Sequence, residues 1–439
     1  MTSFGTSSYS VVGLSLIALG NLVANGMSVS YPSVAIPAIK LAKGRLEPNE
    51  ASWIGSIPQL SMIVGCFVVG PIVDRYGRRM AFIMSAIPGL LGWVTIALGA
   101  DLVWVYIGRL LTGVSMGFST VTTSVFLAEI TSPALRGPIT MGKAIAFSTG
   151  LTFMYVIGWI FQGDWRIVAI VAALVPSLTL IMILKYLPES KIWEEQSPCS
   201  NISYKKFFTE YRKRPEVYIP FNIMNILLIL RQLSGTSVIL AYANDFLIKT
   251  GVHSGKANQV SVAIGFTRII FGLVAAWLSK RFGRRKPVTF SGTIMALTIL
   301  GLSLYLRRSQ DLSQPILIVG FVVFVGSSTI FTGIMQSIVG EVFPSDVRGM
   351  CSGLTSCTTY TTAFVALQSF PWLSSGLDGG QLLMVFATFC VVSAIATIAL
   401  LPETNGKTLE EIRQIFAKNV EPVETNLPLN PSMRAETTS

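Results

Sequence analysis

Charged residues are scarce in this sequence. Asp, Glu, Lys and Arg make up 13% of the 439 residues, whereas 51% of the residues are hydrophobic. A soluble protein carries about 25% charged residues, because polar side chains must cover its surface. A soluble fold of this length would therefore expose an implausibly large apolar area. The scarcity argues against a large soluble enzyme and favours a protein embedded in lipid.

Histidine and cysteine are almost absent as well. The single histidine is His253, and the five cysteines show no spacing typical of a metal site. The sequence also contains no nucleotide-binding motif and nothing that resembles a nucleophile paired with a base. We therefore expect no enzyme activity, no bound metal and no cofactor.

Long apolar runs are what the sequence has in abundance. A bilayer core about 30 Å thick requires about 20 apolar residues per helix. Such runs predict twelve transmembrane helices at residues 10–31, 52–73, 80–99, 102–127, 138–162, 167–187, 217–247, 258–279, 287–306, 314–339, 350–373 and 380–401. The predicted fold class is an all-α, polytopic membrane protein that contacts the lipid bilayer along its length.

The formal net charge of +11 has a topological explanation. If both termini are cytoplasmic, most of the Lys and Arg residues fall in cytoplasmic segments, as the positive-inside rule requires. The basic charge then lies next to anionic lipid. It indicates a multi-pass protein of the cell membrane with cytoplasmic N and C termini, and it predicts no nucleic-acid partner. We expect a monomer.

Three motifs occur twice. DRYGRR (Asp74–Arg79) returns 206 residues later as KRFGRR (Lys280–Arg285), and AEITSPALRG (128–137) returns 212 residues later as GEVFPSDVRG (340–349). LPES at 187–190 returns 214 residues later as LPET at 401–404. This nearly constant offset predicts two six-helix halves in parallel orientation, with a solute site between them near the membrane midplane.

The repeat divides the chain into four parts. Residues 1–187 and 217–401 are the predicted six-helix bundles. Residues 188–216, which contain KKFFTEYRKR, are expected to form amphipathic helices on the cytoplasmic membrane surface. Residues 402–439 are expected to form a cytoplasmic tail.

The same motifs, taken in order, resemble the sugar-porter family of the major facilitator superfamily. The resemblance rests on GPIVDRYGRR, GRLLTGVSMG, AEITSPALRG, PES, RQLSG, GRR and PETNGKTLEEI, and it covers residues 10–418. The stretch ASWIGSI is similar to the insect branch of facilitated trehalose transporter-like proteins. The resemblance implies the major facilitator fold, with two pseudo-symmetric bundles, and transport of a small-molecule solute, a hexose or trehalose, by alternating access.

Charged residues at the cytoplasmic helix ends are predicted to form a latch. Carboxylates and guanidinium groups at matched places in both halves can form ion pairs that must break for inward opening. The predicted latch residues are Asp74, Arg75, Arg78, Arg79, Glu129, Arg136, Arg284, Arg285, Glu341 and Arg348. The alternative is that these residues only anchor the topology. Because Lys280 replaces the acidic residue of the first half, we expect the second latch to be weaker.

A sugar site requires hydroxyl and amide groups that share hydrogen bonds. The resemblance places that site at Gln232, Arg231, Ser237, Arg268, Gln336, Thr359 and Tyr360. Of the family's usual seventh-span pattern only Gln232 is kept, because Arg231 and Ser237 replace a glutamine and an asparagine. Arg268, Gln336 and Thr359 replace further residues of the usual sugar shell, and Tyr360 lies beside Thr359. Gly235 is expected to let the seventh helix bend or break.

Arg231 and Arg268 allow three interpretations. A charge at mid-membrane costs about 3 kcal/mol and usually faces the bundle interior or a wet cavity. The two arginines could pair with Asp245, backbone carbonyls or water and only shape the fold. They could instead bind an anionic solute by charge-assisted hydrogen bonds. A third possibility is a protein that senses or scaffolds without transporting.

The spans also carry signals of packing and of energy coupling. Gly108, Gly113 and Gly117 suit close helix contact, while Arg109 and Lys143 are expected to extend towards the membrane surfaces.

No acidic residue lies at mid-depth in any predicted span. Because a proton symporter generally needs a titratable group in its path, the sequence predicts facilitated diffusion without ion coupling.

Overall fold

The computed structural model describes residues 8–44, 46–131, 133–161, 164–190, 214–249, 254–308, 313–343 and 348–401. Within these ranges the chain forms fourteen α-helices and no strand, which confirms the all-α prediction. Most of the linking segment predicted at 188–216 and the tail predicted at 402–439 lie outside the described residues. The division into four parts therefore stays a prediction.

Six helices precede the linking segment. They are α1 (Ser8–Lys43), α2 (Pro48–Tyr76), α3 (Arg78–Leu98), α4 (Leu102–Ile130), α5 (Pro133–Ile160) and α6 (Trp165–Tyr186). Eight helices follow it. They are α7 (Pro215–Leu233), α8 (Thr236–Ala241), α9 (Ala243–Lys249), α10 (Ser254–Phe282), α11 (Arg285–Arg308), α12 (Gln314–Val342), α13 (Arg348–Gly376) and α14 (Gly379–Leu400).

Ten of the described helices are long and apolar enough to cross a membrane. The other two predicted crossings have identifiable reasons for falling short. The seventh, predicted at 217–247, is divided into α7, α8 and α9, so none of its pieces is both long and apolar enough. The eleventh, α13, has 29 residues and is rich in Ser and Thr, which lowers its hydropathy rather than its length.

The first helix is longer than its predicted span of 10–31. It continues through Pro32 and Pro37 to Lys43 and ends where Gly44 adopts a positive φ of 74°. Prolines are tolerated inside transmembrane helices because neighbouring helices and side chains can satisfy the backbone groups that they free. The prolines of α1 therefore do not end the helix, and the left-handed glycine does.

Glycines allow α2 and α4 to approach each other closely, as the sequence predicts. A Cβ atom at Gly113 would lie 2.5 Å from the Pro58 carbonyl oxygen, and one at Gly117 would lie 2.6 Å from that of Met62. Both distances are too short for any larger residue. The backbones of these two helices are therefore in direct contact.

Arg109 does not extend towards the membrane surface, so that expectation is wrong. Its side chain is 1% exposed. Nε donates to the Ile54 carbonyl at 2.9 Å, and Nη1 donates to the Ser28 carbonyl at 2.6 Å. A carbonyl oxygen has two lone pairs, so a helical carbonyl can accept a second hydrogen bond. Arg109 thereby joins α4 to α1 and α2.

The two halves meet along two pairs of helices. α2 packs against α13, and α5 packs against α10. In the second pair, a Cβ at Gly265 would lie 2.9 Å from the Thr152 Cα, so α5 and α10 are also close. Any solute site between the halves therefore lies between these two contacts.

Candidate functional site

The turns of the repeated DRYGRR and KRFGRR motifs mark one end of the bundle, which we call the basic end. Gly77 and Gly283, the glycines of the two motifs, have φ angles of 87° and 80°. Arg79 donates to the Leu184 carbonyl, and Arg285 donates to the Ile398 carbonyl at the matching place in the second half. The repeat in the sequence is therefore also a repeat in backbone geometry and in side-chain contacts.

Arg78 forms a buried ion pair at the basic end. Its Nη2 lies 2.6 Å from Glu129 Oε1, and its Nε lies 3.0 Å from Glu129 Oε2. Nη1 donates to the Val73 carbonyl at 3.0 Å. The pair joins the start of α3 to the end of α4, both within the first half.

Glu189 completes this network, although the sequence did not assign it a role. Its carboxylate accepts hydrogen bonds from the backbone N–H of Arg78 at 2.7 Å and of Arg79 at 3.1 Å. A Cβ at Gly77 would collide with this carboxylate. Glu189 therefore caps the first turn of α3, where unpaired N–H groups favour an anion. The recurrence of LPES as LPET was the signal in the sequence that could have identified Glu189.

The other predicted latch residues are placed as follows. Arg75 is exposed, and Arg284 is half-buried at the start of the α11 turn. The side chains of Asp74, Arg136, Glu341 and Arg348 lie outside the described part of the chain. Ion pairing between the halves at the basic end therefore stays a prediction.

At the opposite end, α8 and α9 close against the first half. The Tyr242 hydroxyl lies 3.5 Å from the Ser52 carbonyl of α2 and 3.3 Å from the Leu367 carbonyl of α13, and it can donate to one of them at a time. The Tyr242 ring stacks on Phe370 with centroids 4.8 Å apart. Tyr155 of α5 donates to the Leu240 carbonyl at 2.6 Å. These contacts join four helices of both halves.

Asn244 is a second connection at this end. Its backbone N–H donates to Ser33 Oγ and its side-chain amide to the Ser33 carbonyl, at 3.2 and 3.0 Å. Its Oδ1 accepts from Ser261 Oγ at 2.7 Å. Asn244 thereby joins α1, α9 and α10. Sequence reasoning missed Tyr242 and Asn244, although both follow the predicted break in the seventh helix.

That break lies at Gly235, which adopts a left-handed conformation with a φ of 84°. Ser234 Oγ donates to the Arg231 carbonyl at 2.6 Å and so stabilises the end of α7. Across the break, Ser237 Oγ donates to Gln232 Oε1 at 2.6 Å. The predicted interruption of the seventh helix is confirmed.

Gln232 connects this break to α13. Its Nε2 donates to the Thr359 carbonyl at 3.3 Å, and the Thr359 hydroxyl donates back to its own helix at Thr355. The next residue, Tyr360, lies close to Thr120 of α4. The Thr120 hydroxyl in turn accepts a hydrogen bond from Asn25 of α1 at 3.4 Å. Polar groups of both halves therefore meet near the middle of the bundle.

Arg231 and Arg268 are buried beside this polar centre, with 7% and 5% of their surface exposed. Arg231 Nη1 donates to Thr332 Oγ1 at 3.2 Å. Within the described part of the chain, Arg231 Nε and Arg268 Nε and Nη1 have no hydrogen-bond partner. The pairing with Asp245 that the sequence suggested is not observed, since Asp245 lies at the closed end in reach of Lys40.

Lys143 and Gln336 lie between the centre and the basic end. Lys143 Nζ donates to Ser124 Oγ of α4 at 3.2 Å, and its extension towards that membrane surface stays a prediction. Gln336 follows Thr332 by one helical turn on α12, so both side chains share a face, and Gln336 is exposed. The end formed by α8 and α9 is closed, and the exposed Gln336 lies on the side of the basic end.

Comparisons with known proteins agree with this architecture. The family profile described as Sugar (and other) transporter matches residues 40–196 and 193–416. The facilitated glucose transporter member 8 of Mus musculus is 28% identical, over 89% of this chain and 91% of its own length. The facilitated trehalose transporter Tret1 of Bombyx mori is 26% identical, over 88% of this chain and 83% of its own.

A solved structure shows the same fold. The proton:xylose symporter of the major facilitator superfamily, bound to 6-bromo-6-deoxy-D-glucose, superposes with a TM-score of 0.78 and 18% identity. The superposition covers 94% of this chain and 100% of that one. Together with the duplicated motifs and the broken seventh helix, these matches show that the chain is a membrane transporter of the major facilitator fold and belongs to the sugar (and other) transporter family.

Proposed function

We propose that the protein carries a sugar across the cell membrane by facilitated diffusion. The observation that carries this proposal is a polar centre between the halves that is closed at the end formed by α8 and α9. Glucose and trehalose, which the names of the relatives specify, are the first candidates. Hydroxyl and amide groups at Gln232, Ser237 and Thr332 can share hydrogen bonds with a sugar. Arg231, Arg268, Gln336, Thr359 and Tyr360 complete the proposed site.

Alternating access follows from the contacts at the two ends. To admit solute from the closed end, the bonds of Tyr242 and Asn244 must break, while the α2–α13 and α5–α10 pairs hold the halves together. Closing the basic end would bring the predicted latch residues of the two halves into reach of each other. Each opening therefore exchanges one set of contacts for the other. The protein is a carrier and has no enzymatic role in this proposal.

We further propose that the basic end faces the cytoplasm, which also places both termini there. The turns at Tyr76–Arg79 and Phe282–Arg285 carry the basic residues expected on the cytoplasmic side. A membrane-impermeant thiol reagent applied to intact cells should label a cysteine introduced at exposed Asp101, and should leave one introduced at exposed Lys280 unlabelled. The reverse pattern would contradict the orientation.

Transport is proposed to be uncoupled from ions. Within the described crossings the acidic residues lie at the basic end or at helix starts, and Asp245, in the first turn of α9, lies at the closed end rather than in the polar centre. A proton symporter generally needs a titratable group that solute and proton reach together. A pH gradient or a proton ionophore should therefore leave the initial uptake rate unchanged.

The deciding experiment is uptake by proteoliposomes. Purified protein is reconstituted and tested with labelled glucose, trehalose, a polyol and sugar acids, with protein-free liposomes as the control. Saturable uptake of at least one sugar or sugar derivative, equal with and without a pH gradient, is expected. Uptake of none of them, by protein that remains folded in the vesicles, would contradict the proposed function.

A further inference from the structure

Two arginines lie at the polar centre, and a third cation, Lys143, lies nearer the basic end. Lys143 lies on α5 of the first half, Arg231 at the end of α7 before the break, and Arg268 at the middle of α10. Within the described residues the one salt bridge is that of Arg78 with Glu129 at the basic end. None of the three cations therefore has a carboxylate partner among the described residues.

Their hydrogen-bonding capacity is largely unused. Arg268 has two buried nitrogens, Nε and Nη1, without a partner in the described chain, and Arg231 has its Nε. The bonds that these cations do make go to the hydroxyls of Thr332 and Ser124, which are neutral. Buried polar atoms are normally satisfied, so unfilled donors on a cation indicate a missing acceptor.

The charges also oppose each other. Arg231 and Arg268 lie within electrostatic range and repel. Removing a charge from water is unfavourable unless a partner of opposite sign compensates it. An anion between the two guanidinium groups would relieve the repulsion and accept the unused N–H groups in charge-assisted bonds.

Neutral polar groups adjoin this positive site. Tyr360 of α13 lies within electrostatic range of Arg231 and beside Thr120 of α4, and Gln336 of α12 is exposed. The site thus combines a positive part with a part suited to hydroxyl groups.

We propose that the preferred solute is an acidic sugar, a polyhydroxylated carboxylate such as a hexuronate, whose carboxylate binds between Arg231 and Arg268. This inference rests on the proposed function and specifies its substrate class. A neutral hexose would leave the three cations without a counter-charge.

Membrane potential gives a test that needs no mutation. Proteoliposomes receive a potassium diffusion potential of about 100 mV, inside positive, and labelled glucuronate or glucose. One negative charge moving across about 100 mV corresponds to a roughly 50-fold accumulation at equilibrium. Glucuronate should accumulate towards this limit and should not do so when the potential is inverted, whereas glucose should at most equilibrate.

The outcomes separate this inference from the proposed function. Uptake of glucose or trehalose without any uptake of glucuronate overturns the acidic-sugar inference and leaves the sugar carrier standing. Uptake of inorganic phosphate or glucose 6-phosphate in place of glucuronate also overturns it, in favour of a phosphate-binding site. Uptake of no solute at all overturns both proposals.

Substitutions test whether Arg231 and Arg268 bind the carboxylate of the solute. Arg268→Gln and Arg231→Gln should each lower glucuronate uptake at least about tenfold, and Arg268→Lys should restore part of it, because it keeps the charge and loses the planar fork. The matched control is Lys256→Gln, which removes one charge from an exposed position on the same helix. Each variant is first checked for a monodisperse elution profile. Unchanged glucuronate uptake in both folded arginine variants would overturn the assignment.

Discussion

Glu129 is the counter-charge of a buried guanidinium at the basic end. Glu129→Gln would leave Arg78 buried without a charged partner, and we expect a loss of about 3 kcal/mol in the free energy of unfolding. The variant should therefore have a lower midpoint temperature of thermal unfolding in detergent. The matched control is Asp101→Asn at the N-cap of the same helix, since Asp101 is exposed and makes no side-chain cap bond. If both variants unfold at the same temperature, the ion pair does not stabilise the fold.

A local motif brought two side chains of the sequence together correctly, although their role in binding a sugar stays a prediction. Gln232 and Ser237 were identified from a motif, and they do face each other across the break. Glu189, Tyr242 and Asn244 were missed because each bonds to a residue more than a hundred positions away on another helix. Packing decides which backbone N–H or carbonyl groups are left for a side chain to bond, so no local sequence pattern predicts them.

The seventh crossing shows how one residue shapes an element. Gly235 divides it with a positive φ, and a Cβ there would lie 2.6 Å from the Phe386 ring. Gly235→Ala should therefore destabilise the protein by about 1–2 kcal/mol through backbone strain alone, and more through the clash. We expect a lower unfolding temperature and slower sugar uptake.

The control for this change is Gly301→Ala. Gly301 lies within α11, has no positive φ, and has open space around its Cβ position. Alanine has a higher helix propensity than glycine, so the control should be neutral or stabilising by up to about 1 kcal/mol. Equal behaviour of the two variants would show that the break tolerates any small residue.

At this scale the sequence predicted which helices exist better than where they end. Lipid requires about 20 apolar residues for a crossing, so the apolar runs revealed the helices directly. The end of α1 was placed too early, because Pro32 and Pro37 usually terminate helices in water. In the seventh crossing the bend or break at Gly235 was predicted, but the second interruption before Ala243 was not.

For the whole molecule, the contacts of Tyr242 decide which end is closed. Tyr242→Phe removes the hydroxyl that reaches α2 and α13 and keeps the ring stacked on Phe370. We expect the population to shift towards forms open at that end, by about tenfold for the loss of a bond worth about 1.4 kcal/mol. Labelling of a cysteine introduced at Ser237 from that end should become correspondingly faster.

Tyr218→Phe is the matched control, because Tyr218 is exposed on the same crossing and makes no described hydrogen bond. It should leave the labelling rate of the introduced cysteine unchanged. An equal rate in the Tyr242 variant, the control and the parent would mean that the hydroxyl does not hold this end shut.

The binding of Arg109 to peptide oxygens of α1 and α2 has a mechanical consequence. A single planar cation fixes the relative height and rotation of three helices, so these helices must turn together as a rigid body. The second half has instead the short segments α8 and α9, which follow the left-handed Gly235. They can change their angle to α7 once the bonds of Tyr242 and Asn244 are broken. The transport cycle should therefore be asymmetric. The second half should undergo most of the internal deformation, while the first half should rotate as a rigid body.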